Sequence, residues 1–470
     1  MTALAIDQGT TSTRAFVLRA GALHPVFARS HRQIYPRDGW VEHDPAEILA
    51  DLRAAIAAAP DDVTCVGLDN QGESCLAWRA DTGEALSNII VWQDARTQDA
   101  CARLAPHAEA IRAKTGLPID PYFSASKLGW LYETLPEAKT LHAQGLLRLG
   151  TTDAWFRQQL TGLAATDATT ASRTSLMRLA DLEWDADLCA HFGVPPDCLP
   201  PILPTTGPLG IIKTGERSLP LTASLVDQQA ALYGHGARQT GEGKITFGTG
   251  AFALTLTDSP TAPAGLVPTI AWAPHDSPPV FAVEGGVHTA SAAVNWAKDL
   301  NLFDDLDRIC TFDHPSAIGR GLVFVPALAG LAAPHWDRHA KGAWLGLGLD
   351  HGRADLVQAL LEGVAFRMAE VMALMPAGPT PISIDGGMSR NPWFCQMLAD
   401  ILARPLRLTD EAELTAMGTA ALALRGAGMA NDLPPSGHII TPRPIPAAWH
   451  TCFAAACDSV RRFGQLAATP

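Results

Sequence analysis

The chain has 470 residues, 47% hydrophobic and 18% charged, with a formal net charge of −13 at pH 7; that length suggests roughly two to four domains with ample apolar material for their cores. So acidic a chain excludes a role built on gripping a nucleic-acid backbone, which needs a basic patch, while a small neutral substrate stays open. Nine cysteines without a CxxC pair read as buried thiols of a reducing compartment, and no stretch has the apolar length of a signal peptide or a membrane span, so a cytoplasmic setting without membrane insertion is expected.

Ala3-Leu-Ala-Ile-Asp7 and Arg14-Ala-Phe-Val-Leu18 predict two strands joined by the small polar turn Gln8-Gly-Thr-Thr-Ser12. Apolar periodicity predicts helices over 45–59 and 127–134, with a strand at Val63-Thr-Cys-Val-Gly-Leu68 between them. The polar, glycine-rich stretch 236–243 marks a boundary, which divides the chain into domains of 1–238 and 239–470. Just beyond it, Lys244-Ile-Thr-Phe247, the turn Gly248-Thr-Gly250 and Ala251-Phe-Ala-Leu-Thr-Leu256 repeat the first hairpin's design, a hint of two similarly built halves. Further on come a buried strand at 321–326, an amphipathic helix at 355–374, a strand at 379–385 entering Gly386-Gly387, a helix from Asn391 and another, rich in small residues, over 414–424.

Gly9 to Thr13 offer backbone N–H groups and hydroxyls that can approach a phosphate closely, and the carboxylate of Asp7 can hold a magnesium-bound water. The same residues also make an ordinary hairpin turn. Thr249, bracketed by glycines, offers the second such turn. Neither a Walker A pattern nor the protein-kinase motifs occur, so those kinase classes are excluded at the level of motif. Asp227, where a strand enters the helix Asp227-Gln-Gln-Ala-Ala-Leu-Tyr233, suits either an N-terminal cap or a carboxylate that takes a proton from a substrate hydroxyl; position alone does not separate the two. Gly386-Gly387, at a strand's end, leaves room for a flat ligand against backbone, or makes a tight turn.

Asp7-Gln-Gly-Thr-Thr-Ser-Thr-Arg14, Gly39-Trp-Val-Glu-His-Asp-Pro45, Ile90-Val-Trp-Gln-Asp-Ala-Arg-Thr97 and Thr115-Gly-Leu-Pro-Ile-Asp-Pro-Tyr-Phe-Ser124 precede, in order, Ala171-Ser-Arg-Thr174, Asp227-Gln-Gln-Ala-Ala-Leu232, Phe247-Gly-Thr-Gly-Ala-Phe252, Ala333-Pro-His-Trp-Asp337 and Asp385-Gly-Gly387. Together they resemble the FGGY carbohydrate kinase family, and within it the glycerol kinases. The resemblance implies an α/β chain of two actin-like (ribonuclease-H-like) ATPase domains with ATP in the interdomain cleft. It implies that Thr10, Thr11, Ser12 and Arg14 face the nucleotide phosphates together with Thr249, that Gly387 and Asn391 lie near the adenosine, and that Asp7 orients Mg2+. By the same likeness Asp227 is the base, and Gly72, Glu73, Trp92, Tyr122, Gln228 and Phe252 line the polyol site. A homo-oligomer, dimer or tetramer, is expected.

Two departures stand out. Where the family reads Asn-Gln-Arg-Glu, this chain has Asn70-Gln71-Gly72-Glu73, so the arginine that contacts the polyol is missing. Either the pocket is enlarged for a four- or five-carbon polyol or ketose of the erythritol, ribulose or xylulose type, or an arginine from elsewhere in the chain supplies the lost donor. Ser291 and Asn295 replace the family's usual Gly and Gln near the nucleotide. The alternative from another class is an ATP-switched binding module of the actin-like fold, which keeps the phosphate hairpins and lacks a polyol pocket.

Overall fold

The computed structural model describes residues 2–429 and 436–467. The chain divides into two compact units, one of Met1–Gly236, Pro268–Phe281 and Glu413–Pro434, the other of Ala237–Val267, Ala282–Ala412 and Pro435–Pro470. Two segments late in the sequence therefore pack with the first unit.

The first unit is built on a sheet of β1 (Thr2–Gln8), β2 (Ser12–Arg19), β3 (Ala22–Ser30), β4 (Val63–Asn70), β5 (Thr206–Thr214) and β6 (Arg217–Val226), in the order β5-β6-β4-β1-β2-β3. β1 is buried at every position, which explains its near-continuous apolar run: a strand covered on both faces has no polar side to alternate with. The predicted hairpin forms between β1 and β2, pairing Asp7 with Arg14 and Gln8 with Thr13. β1 and β6 both run parallel to β4, with Asp7 level with Asp69 and Val226 level with Asn70. That register brings the ends of three strands to one edge, where Asp7, Asp69 and, one residue past β6, Asp227 gather.

Two helices cover this edge. One begins at Asp227 (Asp227–Gly234) and the other spans Leu414–Gly426. They meet backbone to backbone: a Cβ on Gly418 would lie 1.8 Å from the Ala230 carbonyl oxygen, and one on Gly234 would lie 2.0 Å from that of Leu414. Alanine normally favours a helix over glycine, but no side chain fits at either position, so the pair of glycines fixes where the Asp227 helix sits. Elsewhere in the unit, helix Pro45–Ala57 starts as its sequence dictates, with the Asp44 carboxylate accepting from Ala46 N–H and proline at the first helical position.

The second unit repeats the hairpin theme. Gly243–Phe247 pairs antiparallel with Ala251–Thr257 and parallel with Ile382–Gly386; Leu406–Thr409 and Gly437–Ile440 extend the sheet, while Val280–Val287 flanks Ala251–Thr257. Helices Arg353–Met372 and Pro392–Leu402 pack on it around a core that includes Phe247, Phe366 and Phe394. Among the described residues, no helix is long and apolar enough to cross a membrane.

Candidate active site

The turn between β1 and β2 is closed by a hydrogen bond from Gly9 N–H to the Ser12 carbonyl (3.0 Å) and leaves Thr11 exposed, with Thr10 and Ser12 half-buried. It is braced from behind. His31 Nε2 donates to the Thr10 carbonyl (3.1 Å), His31 N–H donates to that of Thr11 (3.1 Å), and Trp92 Nε1 donates to the Thr10 hydroxyl (3.0 Å). Because Trp92 fills the acceptor role of Thr10 Oγ, the Thr10 hydroxyl proton is left to point elsewhere, as a phosphate-binding donor must.

His31 in turn meets His43 edge-on, with ring centroids 4.8 Å apart, and Gln71 Nε2 donates to His43 Nδ1 (3.2 Å). Burial, and then the neighbouring His31, push His43 from 6.5 down to about 4. The folded protein thus holds His43 neutral, whereas the unfolded chain protonates it below 6.5. The stability it contributes is complete above 6.5 and is lost as pH falls from there toward about 4, a loss of roughly 3 kcal/mol. His43→Gln removes the titration, so its urea-unfolding free energy should fall less steeply than that of the wild type over this window. Parallel slopes would show that His43 is not held neutral.

Asp7 is almost wholly buried, and its Oδ2 accepts from Arg14 Nη2 at 2.5 Å. Arg14 Nη1 reaches Glu413 Oε2 at 2.6 Å, so its guanidinium bridges two carboxylates of the first unit. Asp69 is fully buried, with Oδ2 accepting from Thr419 Oγ1 (2.6 Å) and no hydrogen-bond partner at Oδ1 among the described residues. Burial first, then the charge of Asp7, with a smaller contribution from Asp227, holds Asp69 well above the usual carboxylate range. A cluster of oxygen-only donors with an orphaned buried carboxylate oxygen suits a hard divalent cation such as Mg2+. The sequence reading missed Asp69 and Glu413. Its one available signal was the strand ending in Asp69-Asn70, whose level with Asp7 depends on a parallel pairing that sequence spacing does not specify.

Asp227 is the first residue of its helix and is half-buried; its Oδ1 accepts from Gln228 N–H at 2.6 Å. The carboxylate therefore sits at the positive end of the helix, which favours its ionised form. Val226 just before it is anchored by the Thr169 hydroxyl (2.9 Å) and abuts Gly72: a Cβ on Gly72 would lie 3.1 Å from Val226 Cγ1. The space directly off Gly72 is thus bounded by Val226. Next to it Glu73, 4% exposed and with a left-handed backbone (φ 59°), accepts from Arg173 Nε at 2.6 Å. Trp92 and Tyr122 meet edge to face with centroids 5.6 Å apart, and the Arg173 guanidinium lies 5.9 Å from the Tyr122 ring. Gln228 is half-buried beside Asp227. Gly72, Glu73, Trp92 and Tyr122, scattered over 51 positions of sequence, are thus linked through Val226 and Arg173 to the Asp227 segment.

In the second unit Thr249 is exposed at its turn, and its carbonyl accepts from Ala290 N–H (2.9 Å) and Ala292 N–H (3.1 Å) where helix Ser291–Asp299 begins. Phe252 is half-buried on the adjoining strand, in register with Thr246. A cavity of about 350 Å³ is lined by Ser291, Asn295, Gly387, Met388 and Asn391 among others. Just before the lining residue Gly387, the strand end needs glycine at 386, where φ is +91° and a Cβ would meet the Phe247 carbonyl oxygen at 2.3 Å. Asn391 has two local tasks: Oδ1 caps helix Pro392–Leu402 through Phe394 N–H (3.0 Å), and Nδ2 donates to the Ile309 carbonyl (2.8 Å). Ser291 Oγ is buried in the same wall with no hydrogen-bond partner among the described residues, an orphan that a polar ligand in the cavity would satisfy.

The N-terminal domain of the FGGY family of carbohydrate kinases matches residues 2–234, and its C-terminal domain matches 243–427. The chain belongs to this family. The FGGY kinase is 40% identical over 442 residues to a glycerol kinase of Rhizorhabdus wittichii, covering 88% of this chain and 86% of that protein. It is 41% identical over 454 residues to a glycerol kinase of Thermus brockianus, covering 92% and 91%. Among solved structures it is similar to Plasmodium falciparum glycerol kinase with ADP (TM-score 0.90, 29% identity, 98% of each chain) and to xylulose kinase from Rhodospirillum rubrum (TM-score 0.87, 25% identity, 99% and 100%). As an FGGY kinase it has the actin-like ATPase fold and is a phosphotransferase that uses ATP on a small carbohydrate-type alcohol. The binding-module alternative is set aside accordingly.

Proposed function

We propose that this kinase transfers the γ-phosphoryl group of ATP to a terminal hydroxyl of a small polyol, with glycerol as its acceptor and Asp227 as its base. The observation that carries the reading is the half-buried Asp227 carboxylate at a helix start, next to Val226 and hence to the Gly72–Glu73 segment. Relatives named glycerol kinase at about 40% identity support the choice of acceptor. In this reading Asp227 accepts a hydrogen bond from the attacking hydroxyl and collects its proton late, because phosphoryl transfer passes through a loose transition state. Trp92 and Phe252 pack on the carbon chain; Glu73, Tyr122 and Gln228 hydrogen-bond its hydroxyls.

Thr10, Thr11, Ser12 and Arg14 in the first unit, and Thr249 in the second, serve the phosphates, and the cavity at Gly387 and Asn391 takes the adenosine. Arg14 would have to share its guanidinium between Asp7, Glu413 and phosphate. Mg2+ held at Asp7 supplies positive charge to the polyphosphate when bound. Residues 1–238 then carry the phosphate turn and the acceptor site apart from Phe252, residues 239–470 the nucleotide, and the enzyme works in the cytoplasm as a homodimer or homotetramer.

The longer-acceptor alternative needs open space at Gly72, and Val226 stands at 3.1 Å from the position a Cβ would take there. Comparing kcat/KM for glycerol, erythritol, the pentitols and the pentuloses tests the choice. Glycerol should lead the series; a four- or five-carbon acceptor turned over more efficiently would reassign the substrate while leaving the kinase chemistry in place.

A further inference from the structure

We infer that Arg173 is the residue that positions Glu73 toward the acceptor; the inference rests on the proposed reading that Glu73 lines the acceptor pocket. Arg173 follows the short helix Ala168–Ala171, which Asp167 caps by accepting from Thr169 N–H (2.8 Å) and Thr170 N–H (2.9 Å). The turn is tied down again at both sides of the arginine: Arg173 N–H donates to the Thr170 carbonyl (3.0 Å), and the Thr174 carbonyl accepts from Ala125 N–H (2.8 Å). The backbone that carries the guanidinium is therefore fixed before any ligand arrives.

Glu73 is fixed just as firmly. Its carbonyl accepts from Ser124 Oγ (2.9 Å), its backbone holds the left-handed conformation, and its carboxylate takes the Arg173 Nε–H at 2.6 Å. Both side chains are about 5% exposed or less. A carboxylate this deeply buried tends to take up a proton and lose its worth as an acceptor. The adjacent guanidinium meets it with a charge-assisted hydrogen bond, which favours the ionised form. The same guanidinium lies 5.9 Å from the Tyr122 ring and 5.5 Å from that of Phe123, which holds the aromatic wall and the carboxylate to one anchor.

An acceptor hydroxyl that donates to Glu73 then meets a carboxylate whose direction Arg173 sets.

The test begins with wild-type enzyme and an acceptor that it turns over; without such turnover the proposed function itself fails. Arg173→Met should raise the acceptor KM by about 10- to 100-fold, lower kcat by less, and leave the KM for ATP within about twofold, a pattern that general misfolding does not produce. Arg173→Lys, which keeps the charge and loses the fork, should recover part of the loss. Because the single methionine variant leaves a buried carboxylate, Glu73→Gln and the double variant are measured beside it. If the two residues act as one device, the losses in kcat/KM of the single variants do not multiply in the double variant. An Arg173→Met enzyme with wild-type acceptor KM, or losses that multiply, overturns the inference and leaves the kinase reading intact.

Discussion

Asp227→Asn lowers kcat by about 10²-fold or more, while the thermal midpoint stays within about 2 °C of the wild type. The substitution keeps the side chain's shape and its acceptor oxygen, so Gln228 N–H retains its partner at the helix start. What it removes is the only chemistry the proposal needs there, an anion that takes the attacking hydroxyl's proton. The neighbouring geometry should not relax, because the Gly234–Gly418 contact leaves the helix no room to shift. Circular dichroism melts and steady-state ADP release on the same preparation separate the two effects. Near-normal turnover at normal stability would make Asp227 a cap and nothing more.

The second large effect is at Asp7. Asp7→Asn leaves β1 packed and its backbone ladder intact, but it takes away the carboxylate that pairs with Arg14 at 2.5 Å and lies beside Asp69. Arg14 then keeps its ion pair with Glu413 but loses the one with Asp7, and the oxygen set proposed to hold Mg2+ loses a carboxylate. We expect kcat to fall by roughly 10²-fold, with half-maximal activity moved to higher Mg2+. A variant with unchanged kcat and an unchanged Mg2+ titration would remove Asp7 from the chemistry. The two variants should also differ in kind: extra Mg2+ recovers part of the Asp7→Asn loss and none of the Asp227→Asn loss.

Local pattern made part of this site readable in the sequence. The two hairpins announce themselves through β-favouring runs on either side of small polar turns, and Gly386 is a position where only glycine's conformational freedom and missing side chain fit the backbone. The Asp227 helix is legible because an acidic residue enters an alanine-rich stretch directly after an apolar strand. What stayed hidden is what the topology assembles. Asp69 is an ordinary strand residue until β1 and β4 pair in parallel, and no spacing rule sets the register of strands so far apart. Glu413 and Thr419 reach Arg14 and Asp69 across 399 and 350 positions of chain. Gly72 reads in sequence as a lost donor and a gap, yet Val226 packs beside it and Arg173 pairs with its neighbour, contacts that only the folded chain brings together. Arg14 and Asn391 show the reverse: residues that the resemblance assigns to the nucleotide also carry local structural tasks, one bridging two carboxylates and the other capping a helix.

The most direct measurement of the central claim follows the phosphoryl group itself. Enzyme, MgATP and glycerol are incubated, and the products are read by phosphorus NMR, with one control lacking glycerol and one using Asp227→Asn. The account predicts ADP and a glycerol phosphomonoester in equal amounts, negligible ADP without glycerol, and at least about a 10²-fold slower appearance of both with the variant. ADP and inorganic phosphate accumulating equally well without an acceptor, or an Asp227→Asn enzyme that forms the phosphomonoester at the wild-type rate, would contradict it.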